Sequence, residues 1–404
     1  MVVLVLLAAS LEAAGCGSGR QNNGGGSAGG VAGAGGLGTA GAASSGGAGS
    51  AGRDGVLDPC TPAPDHTVSQ SEARVEGPAS VAVTSEGGFA AVWTDRRNAA
   101  TPIGGQIAFA RLDRAGMRVG ADVLVNTGGI EGMKPEIVSA GTNFGLAYLT
   151  ADSSPSPDRV HFARLDAAGA LIGTPFDVVE ASRDASLVWT GEQYGLAYIA
   201  SLGTASNVFL ARFDAAGAAI GPPLMLSTNG LLTTRPLIAW TGAAFVVSFQ
   251  EGGDPLTSKG AAVLVDASGA KVGQVVLSEE ATALAANDSG FAVAAAYSLW
   301  RFDSSGHGSQ PATSVTGPPR NLVWTGKTYA FAYAFPVGTR GPIYLSTSNA
   351  NADFLLEPVL VSASDTVVVD NGIDLVWTGS AYAIVWTDAR APSSAVHFAM
   401  ACPP

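Results

Sequence analysis

The stretch Ser186-Leu187-Val188-Trp189-Thr190-Gly191 opens a unit that recurs along the chain. Three further apolar runs complete the unit, at residues 194–198, 208–214 and 223–227. The runs are short, rich in β-branched and aromatic residues, and separated by turn-forming glycines. Four such runs in succession predict a four-stranded antiparallel sheet.

Parts of this unit recur at a spacing of about 40 to 50 residues, which is typical of propeller blades. One blade cannot bury both faces of its sheet, whereas a closed ring of blades can. The sequence therefore predicts an all-β fold, a seven-bladed β-propeller over residues 56–404. The count rests on the aromatic residue that opens the second run of each unit: Phe89, Phe144, Tyr194, Phe245, Phe291, Tyr329 and Tyr382.

The last unit ends after three strands, at residues 396–402. The segment His66-Thr67-Val68-Ser69 resembles the fourth run of the unit, so we expect the N-terminal strand to complete the last blade. Cys60 precedes this segment and Cys402 ends the third strand of the last unit. We therefore expect a Cys60–Cys402 disulfide in an exported protein, the alternative being two free thiols.

The N-terminus predicts export. The apolar run at residues 2–9 is too short to span a bilayer and fits a signal peptide ending at residue 16. Residues 13–16, Ala-Ala-Gly-Cys, resemble the lipobox of bacterial lipoproteins, with Ala13 where that family usually has Leu. The resemblance implies a lipidated Cys16 and a place in the outer membrane; the alternative is an ordinary cleaved signal. Residues 17–55 are mostly Gly, Ala and Ser and predict a flexible, disordered tether.

The composition excludes several classes of function. The chain has a net charge of −12 at pH 7, so nucleic-acid binding is not expected, because phosphate affinity requires clustered Lys and Arg. No Cys or His pair has zinc spacing and no calcium-loop motif occurs, so we expect no metal and no cofactor.

We expect a monomer whose membrane contact is made through its N-terminal lipid.

The connections between strands fall into two groups. Those between first and second strands, and between third and fourth strands, are short and repetitive, and we call their side the turn face. The others vary in length and chemistry and emerge together on the variable-loop face of up-and-down blades. Variable loops on a rigid scaffold usually carry binding function, so we expect any ligand site on the variable-loop face.

Two patterns on the variable-loop face are candidate ligand contacts. The first is a basic residue before the innermost strand of four blades, which could attract an anionic group to the channel mouth or form local ion pairs. The second is a Trp-Thr-Asp-x-Arg sequence in blades that ring closure makes neighbours. It could bind carbohydrate or peptide, or an Arg–Asp pair could lock the seam. The candidate residues are Lys134, Arg183, Arg235 and Arg320 for the first pattern, and Asp95, Arg96, Asp388 and Arg390 for the second.

Another set of arginines recurs in the third strand of several units. Because a binding site normally breaks the symmetry of a repeat, this recurrence predicts blade-to-blade contacts. The set is Arg111, Arg164, Arg212 and Arg301.

The repeat resembles a family of bacterial exported propeller proteins, common among predicted lipoproteins of myxobacterial type. Residues 235–242 and Trp93-Thr94-Asp95-Arg96 carry the resemblance, which covers about residues 60–402. It implies a fold and a location and no catalytic residues. We expect a non-enzymatic binding or interaction module of the cell envelope, with a carbohydrate, an anionic small molecule or a protein as ligand. The alternatives are a carbohydrate-active propeller hydrolase or lyase, and a passive structural surface protein.

Overall fold

The computed structural model describes most of residues 60–403. The predicted signal segment 1–16 with Cys16, the tether 17–55, Arg235 and Arg320 lie outside the described residues. The stretches not described within 60–403 are 71–72, 100–103, 126–130, 151–158, 181, 203–204, 228–235, 252–258, 278–280, 296–297, 309–318, 320, 336–340, 349–355, 364–365 and 391–393.

The described residues form seven antiparallel sheets, six built from consecutive strands and one that joins the last three strands to the first, which confirms the predicted seven-bladed β-propeller. No helix among them is long and apolar enough to cross a membrane. Blade 1 contains β2 (Val75–Val83), β3 (Phe89–Asp95), β4 (Gln106–Leu112) and β5 (Arg118–Leu124). Blade 2 contains β6 (Gly132–Ala140), β7 (Asn143–Thr150), β8 (Arg159–Leu165) and β9 (Phe176–Glu180). Blade 3 contains β10 (Ser182–Trp189), β11 (Gln193–Leu202), β12 (Ala205–Asp214) and β13 (Leu224–Met225).

The remaining blades follow the same order, and three strands of blade 5 lie within the described residues. Blade 4 contains β14 (Leu237–Trp240), β15 (Ala244–Glu251), β16 (Lys259–Asp266) and β17 (Lys271–Leu277). Blade 5 contains β18 (Ala281–Asn287), β19 (Gly290–Ala295) and β20 (Ser298–Asp303). Blade 6 contains β21 (Asn321–Trp324), β22 (Tyr329–Ala334), β23 (Ile343–Thr347) and β24 (Val359–Leu360). Blade 7 contains β25 (Val368–Trp377), β26 (Tyr382–Asp388), β27 (Ala395–Ala401) and β1 (Ala63–Thr67).

The hydrophobic core lies between blades. One cluster joins Val81 and Phe89 of blade 1 to Val385 and Phe398 of blade 7. Each aromatic residue that opens a second strand is at most 4% exposed, so the recurrence seen in the sequence marks buried positions. Burying apolar surface against a neighbouring blade is the main stabilising effect of ring closure.

The N-terminal strand completes blade 7, as predicted. β1 pairs antiparallel with β27, with His66 opposite Phe398 and Thr67 opposite His397. The predicted disulfide is present, joining Cys60 to Cys402 with a Cα–Cα distance of 5.6 Å. The ends of the propeller are therefore held by a covalent bond as well as by a strand pair.

The repeated turns have the chemistry that their sequences indicate. In the Asp-x-x-Gly turn of blade 2, Asp166 accepts the backbone N–H groups of Ala168 and Ala170, and Gly169 has a φ of 84°. In the Trp-Thr-Gly turn of blade 3, Thr190 accepts the N–H of Gln193 at 3.0 Å. A side-chain acceptor and a glycine at positive φ let the chain reverse within a few residues.

Two of the recurrent third-strand arginines join neighbouring blades, as predicted. Arg164 donates to the carbonyl of Ala216 at 2.8 Å, and Arg212 donates to the carbonyl of Ala267 at 2.6 Å. Both acceptors lie in the Asp-x-x-Gly turn of the next blade. The ion pair of Arg111 lies within its own blade and joins it to Glu86 at 3.5 Å.

Candidate functional site

On the variable-loop face, β3 ends in the Trp-Thr-Asp-x-Arg corner of blade 1. The Oδ1 atom of Asp95 accepts the backbone N–H groups of Arg74 and Arg97, at 3.2 and 2.9 Å. Its Oδ2 atom binds the Arg97 guanidinium at 2.7 Å (Nε) and 2.5 Å (Nη2). This hydrogen bond raises the pKa of Arg97, against the effect of burial. One carboxylate thus fixes both the backbone of the loop and the guanidinium group.

Blade 7 repeats this geometry at the end of β26. The Oδ1 atom of Asp388 accepts the N–H groups of Val367 and Arg390, at 3.2 and 3.0 Å. Its Oδ2 atom lies 2.7 Å from Nη2 of Arg390. The same guanidinium lies 3.7 Å from a carboxylate oxygen of Asp65 on β1. We call these two structures the seam corners, because blades 7 and 1 meet at the ring closure.

The pairs Asp95–Arg97 and Asp388–Arg390 each join two residues of one corner, and neither joins two blades. Gln70, which lies between β1 of blade 7 and β2 of blade 1, makes a contact across the seam. Its N–H donates to Asp122 at 3.2 Å, and its Oε1 accepts from Arg97 at 3.3 Å. Burial raises the pKa of Asp122, although Arg118 and Arg97 oppose this effect.

The residues predicted to contact a ligand differ in their exposure to solvent. Asp95 and Asp388 are 1% exposed, so in this structure they hold the loops. The side chain of Arg96 is 27% exposed and pairs with Glu76 at 2.8 Å, and that of Arg390 is 29% exposed. The arginines therefore form the outer edge of the seam corners. Ligand contact by any of these residues stays a prediction.

Of the four basic residues predicted to surround the channel mouth, Lys134 is the one whose side chain lies among the described residues. Lys134, with a φ of 48°, places its Nζ 3.0 Å from a carboxylate oxygen of Asp184, so an ion pair joins the innermost strands of blades 2 and 3. This is the local pairing that the sequence left open as the alternative. Arg183 lies on β10, but its side chain falls outside the described part of the chain. The ring as a whole stays a prediction.

A buried set of polar side chains on innermost strands escaped the sequence analysis. Asp374 accepts from Ser80 Oγ and from the Val81 N–H, each at 2.9 Å, and also from the Asn321 side chain. Ser80 in turn accepts the N–H of Ile137 at 3.2 Å. We call this set the polar belt: Ser80, Glu136, Ser186, Asn321 and Asp374.

The polar belt joins five consecutive blades, 6, 7, 1, 2 and 3. Its last link is a hydrogen bond of 3.2 Å from Ser186 to Glu136. Side chains of the belt satisfy backbone N–H groups at the open edges of innermost strands, which would otherwise be buried without partners. A sequence signal existed, because Ser186, Asn321 and Asp374 each directly precede Leu-Val-Trp.

Two histidine–aspartate pairs lie on outer strands. His161 contacts Asp177 at 2.7 Å and Thr150 at 2.9 Å, and His397 contacts Asp65 at 2.6 Å. The Thr–His–Asp order is that of a nucleophile, a base and an orienting acid. Thr150 and His161 are 3% and 2% exposed, however, and the histidine–aspartate pair recurs in blade 7. These pairs therefore stabilise the blades. Among the described residues, no three His, Cys, Asp or Glu side chains form a metal site.

Two clefts open on the turn face, opposite the face where we expected a site. One, of about 400 Å³, lies between blades 5 and 6 and is lined by Arg301, Trp324 and Tyr329, among others. The other, of about 620 Å³, lies between blades 7 and 1 and is lined by Cys60 and Arg114, among others. The turn face thus has concave surfaces as well as structural turns.

Comparisons with known proteins support the fold. A Trypanosoma rangeli sialidase, solved with 2,3-difluorosialic acid as a covalent intermediate, superposes with a TM-score of 0.51 and 9% identity, over 84% of this chain and 59% of that chain. A neuraminidase-like protein from a flat-faced bat isolate of Peru superposes with a TM-score of 0.49 and 10% identity, over 86% and 95%. No protein-family model matches the chain, and no curated protein matches it in sequence. The superposition with the sialidase thus supports the propeller fold, whose seven blades the sheet topology of this chain shows.

Proposed function

We propose that this protein is a non-enzymatic binding module of the cell envelope, anchored by a lipid on Cys16 and carried on the tether 17–55. Its ligand site lies on the variable-loop face at the seam corners. The observation that carries the proposal is the repetition of one corner geometry in neighbouring blades. In both corners a buried carboxylate holds an arginine whose guanidinium is still partly exposed, Arg97 at 17% and Arg390 at 29%.

Rigid arginines of this kind favour binding because little side-chain entropy is lost when a ligand docks. The planar guanidinium also presents several donors in a fixed arrangement that matches oxygen acceptors. Because Asp95 and Asp388 neutralise these arginines, ligands with many hydroxyl or carbonyl oxygens fit the site better than strongly charged ones. A carbohydrate or a peptide has that chemistry.

A thermal-shift screen of the full-length chain against sugars, peptides, carboxylates and divalent cations tests the proposal. Wild type is compared with Arg390→Ala, and with Arg159→Ala, which removes an exposed ion pair on blade 2 (38% and 55% exposed). We expect a concentration-dependent rise in melting temperature for one ligand class. The rise should be lost in Arg390→Ala and kept in Arg159→Ala.

Other outcomes assign the site differently. A rise that survives Arg390→Ala and Arg96→Ala places the binding site away from the seam corners. No rise with any class favours the passive structural role or a protein ligand, and pull-downs from envelope extracts with wild type and Arg390→Ala separate these two.

A carbohydrate-active hydrolase or lyase is the second candidate. The observation that favours it is the presence of two carboxylates, Glu136 and Asp374, on innermost strands that flank blade 1, both 8% exposed. Paired carboxylates on facing elements are the usual catalytic groups of glycosidases. Turnover of a polysaccharide that disappears in Asp374→Asn, while the fold is kept, would replace the binding proposal with this one.

A further inference from the structure

The closing junction between blades 7 and 1 lacks the arginine that joins blades 2 and 3. Arg164 lies opposite Gly145, the residue after the opening aromatic of β7, and donates to the turn of blade 3. In blade 7 the same place, opposite Ala383, is taken by Met400. A thioether has no polar hydrogen, so Met400 cannot donate to the turn of blade 1 in the way that Arg164 donates to blade 3.

The turn on the other side of this junction departs from the repeat in the opposite sense. Blade 1 has Asp113-Arg114-Ala115-Gly116 as its Asp-x-x-Gly turn. The residue after the Asp is Ala or Ser in the other four copies, which begin at Asp166, Asp214, Asp266 and Asp303. An arginine is thus lost from blade 7 and another is gained in the facing turn of blade 1. Because a binding site normally breaks the symmetry of a repeat, this pair of changes distinguishes the closing junction.

A cleft of about 620 Å³ lies between the two changed positions, and its volume is within the range of small-ligand sites. Blade 7 contributes Met400, Ser380 and the segment before β1, and blade 1 contributes Gly87 and Arg114. Every lining residue belongs to the described part of the chain. The cleft is therefore defined by the walls of two blades.

The Arg114 side chain is held through its Nε atom. Nε donates to the carbonyl of Glu86 at 2.9 Å, and a β-carbon at Gly87 would lie 3.4 Å from it. The Glu86 carboxylate pairs with Arg111 at 3.5 Å, and Oδ1 of Asp113 accepts N–H groups of its own turn. Among the described residues, no acceptor lies within hydrogen-bond distance of the two Nη groups of Arg114. The guanidinium is thus oriented by one bond, and its Nη groups can bind a ligand.

The rest of the cleft combines apolar surface with hydroxyl groups. Met400 and Cys60 are partly exposed and line it together. A methionine side chain packs readily against hydrocarbon of varied shape. Thr61 and Ser380 add hydroxyl groups that can donate to an oxygen of the ligand. One cation beside an apolar wall suits a ligand that has one negative charge and a hydrocarbon part.

We propose that this cleft binds a small monocarboxylate with an apolar body, its carboxylate on the Nη groups of Arg114 and its hydrocarbon chain against Met400. The two Nη groups of one guanidinium match two carboxylate oxygens with parallel hydrogen bonds. Because the bond to Glu86 orients the guanidinium beforehand, little side-chain entropy is lost on binding. Burial of the methylene groups adds affinity. The proposal is independent of the seam corners, which lie on the other face.

NMR of the full-length chain with ¹³C-labelled methionine methyl groups, titrated with hexanoate, tests the proposal. The chain has five methionines, and Met400→Leu assigns the Met400 signal. We expect hexanoate to shift this signal saturably. The signal of Met225, which is 45% exposed on blade 3, should not move. Hexanol, which lacks the charge, and acetate, which lacks the hydrocarbon chain, should each bind at least about 10-fold more weakly.

A variant of the turn tests the role of the cation. Arg114→Ala gives blade 1 the Asp-Ala-Ala-Gly turn that blades 2 and 3 already have, so the fold should be kept. We expect it to bind hexanoate at least about 10-fold more weakly than wild type, because the charged hydrogen bonds are lost. Arg159→Ala removes an exposed arginine of blade 2 and should bind hexanoate like wild type.

Four results would overturn the proposal. The first is a Met400 signal that does not respond saturably to hexanoate, and the second is equal binding of hexanol or acetate. The third is unchanged binding by a folded Arg114→Ala. The fourth is a shift at Met225 equal to that at Met400, which would show that hexanoate binds to exposed apolar surface in general.

Discussion

The ring of Phe398 in blade 7 lies against Gly116 in the third-to-fourth strand turn of blade 1, so closely that a β-carbon at Gly116 would overlap it. The same contact occurs one junction further on, where Gly169 of blade 2 lies against Phe109 of blade 1. The closing junction is therefore built like an internal one, although its strands come from opposite ends of the chain. A glycine is needed there both for its positive φ and for the absence of a side chain.

Gly116→Ala should destabilise the propeller more than an ordinary glycine-to-alanine change. The φ of 78° at Gly116 alone costs an alanine about 1 kcal/mol, and the overlap with Phe398 adds to it. Gly141→Ala is the matched control, because its φ is 71° and nothing lies within 4 Å of the added carbon. Urea unfolding measures both variants. Equal losses of unfolding free energy in the two variants would show that the Phe398 ring moves aside at no cost in stability.

Reducing the Cys60–Cys402 disulfide should lower the stability of the propeller without abolishing the fold. The bond closes a loop with a sequence separation of 342, for which chain entropy predicts a loss of up to about 6 kcal/mol. Pairing of β1 with β27 and the core between blades 7 and 1 remain in the reduced protein. Cys60→Ser, Cys402→Ser and the double variant should therefore have similarly lowered melting temperatures. A melting temperature that is unaffected by reduction would contradict this view of ring closure.

Acid should destabilise the fold through His161. Burial lowers the pKa of His161 from 6.5, and the charge and hydrogen bond of Asp177 oppose this. The unfolded chain therefore binds the proton first as pH falls below 6.5, so the stability from this group is complete above that pH and lost below it. Asp177→Asn removes the charge that raises the pKa of His161, so the loss of stability at low pH should be larger in this variant.

NMR titration of the His161 ring, together with urea unfolding between about pH 7 and pH 5, measures this effect. His307→Gln is the control, because the side chain of His307 is 84% exposed. A titration midpoint for His161 above 6.5 would reverse the sign of the prediction.

The sequence contained enough information for the fold and the ring closure. Phe89, Tyr194 and Tyr382 recur because every blade buries the same position against its neighbour. Cys60 and Cys402 could be paired because the last unit lacked a fourth strand. Both inferences depend on repetition, which is visible without any knowledge of distances.

Features that break the repeat were harder to predict. The roles of Asp95 and Asp388 depend on exposure and on backbone N–H partners from the segments just before β2 and β25, which the motif does not specify. The cleft beside Arg301 lies between two blades whose sequences depart from the repeat. The spacing of residues in a sequence does not predict where a surface is concave. The polar belt was missed because its members differ in type, from Ser80 to Asp374, and share only a position.

Replacing Asp374 should weaken the ring more than replacing any other member of the polar belt. Asp374→Ala leaves the Val81 N–H and the Ser80 hydroxyl buried without their acceptor, and hydrogen bonds to a charged group contribute about 1.5–3 kcal/mol each. Asp374→Asn keeps a carbonyl oxygen at the site and should lose less. Ser80→Ala, which removes one hydroxyl between Asp374 and the Ile137 N–H, should fall between wild type and Asp374→Ala. Urea unfolding ranks the variants, and a loss in Asp374→Ala no greater than that in Ser80→Ala would show that the carboxylate is not the centre of the belt.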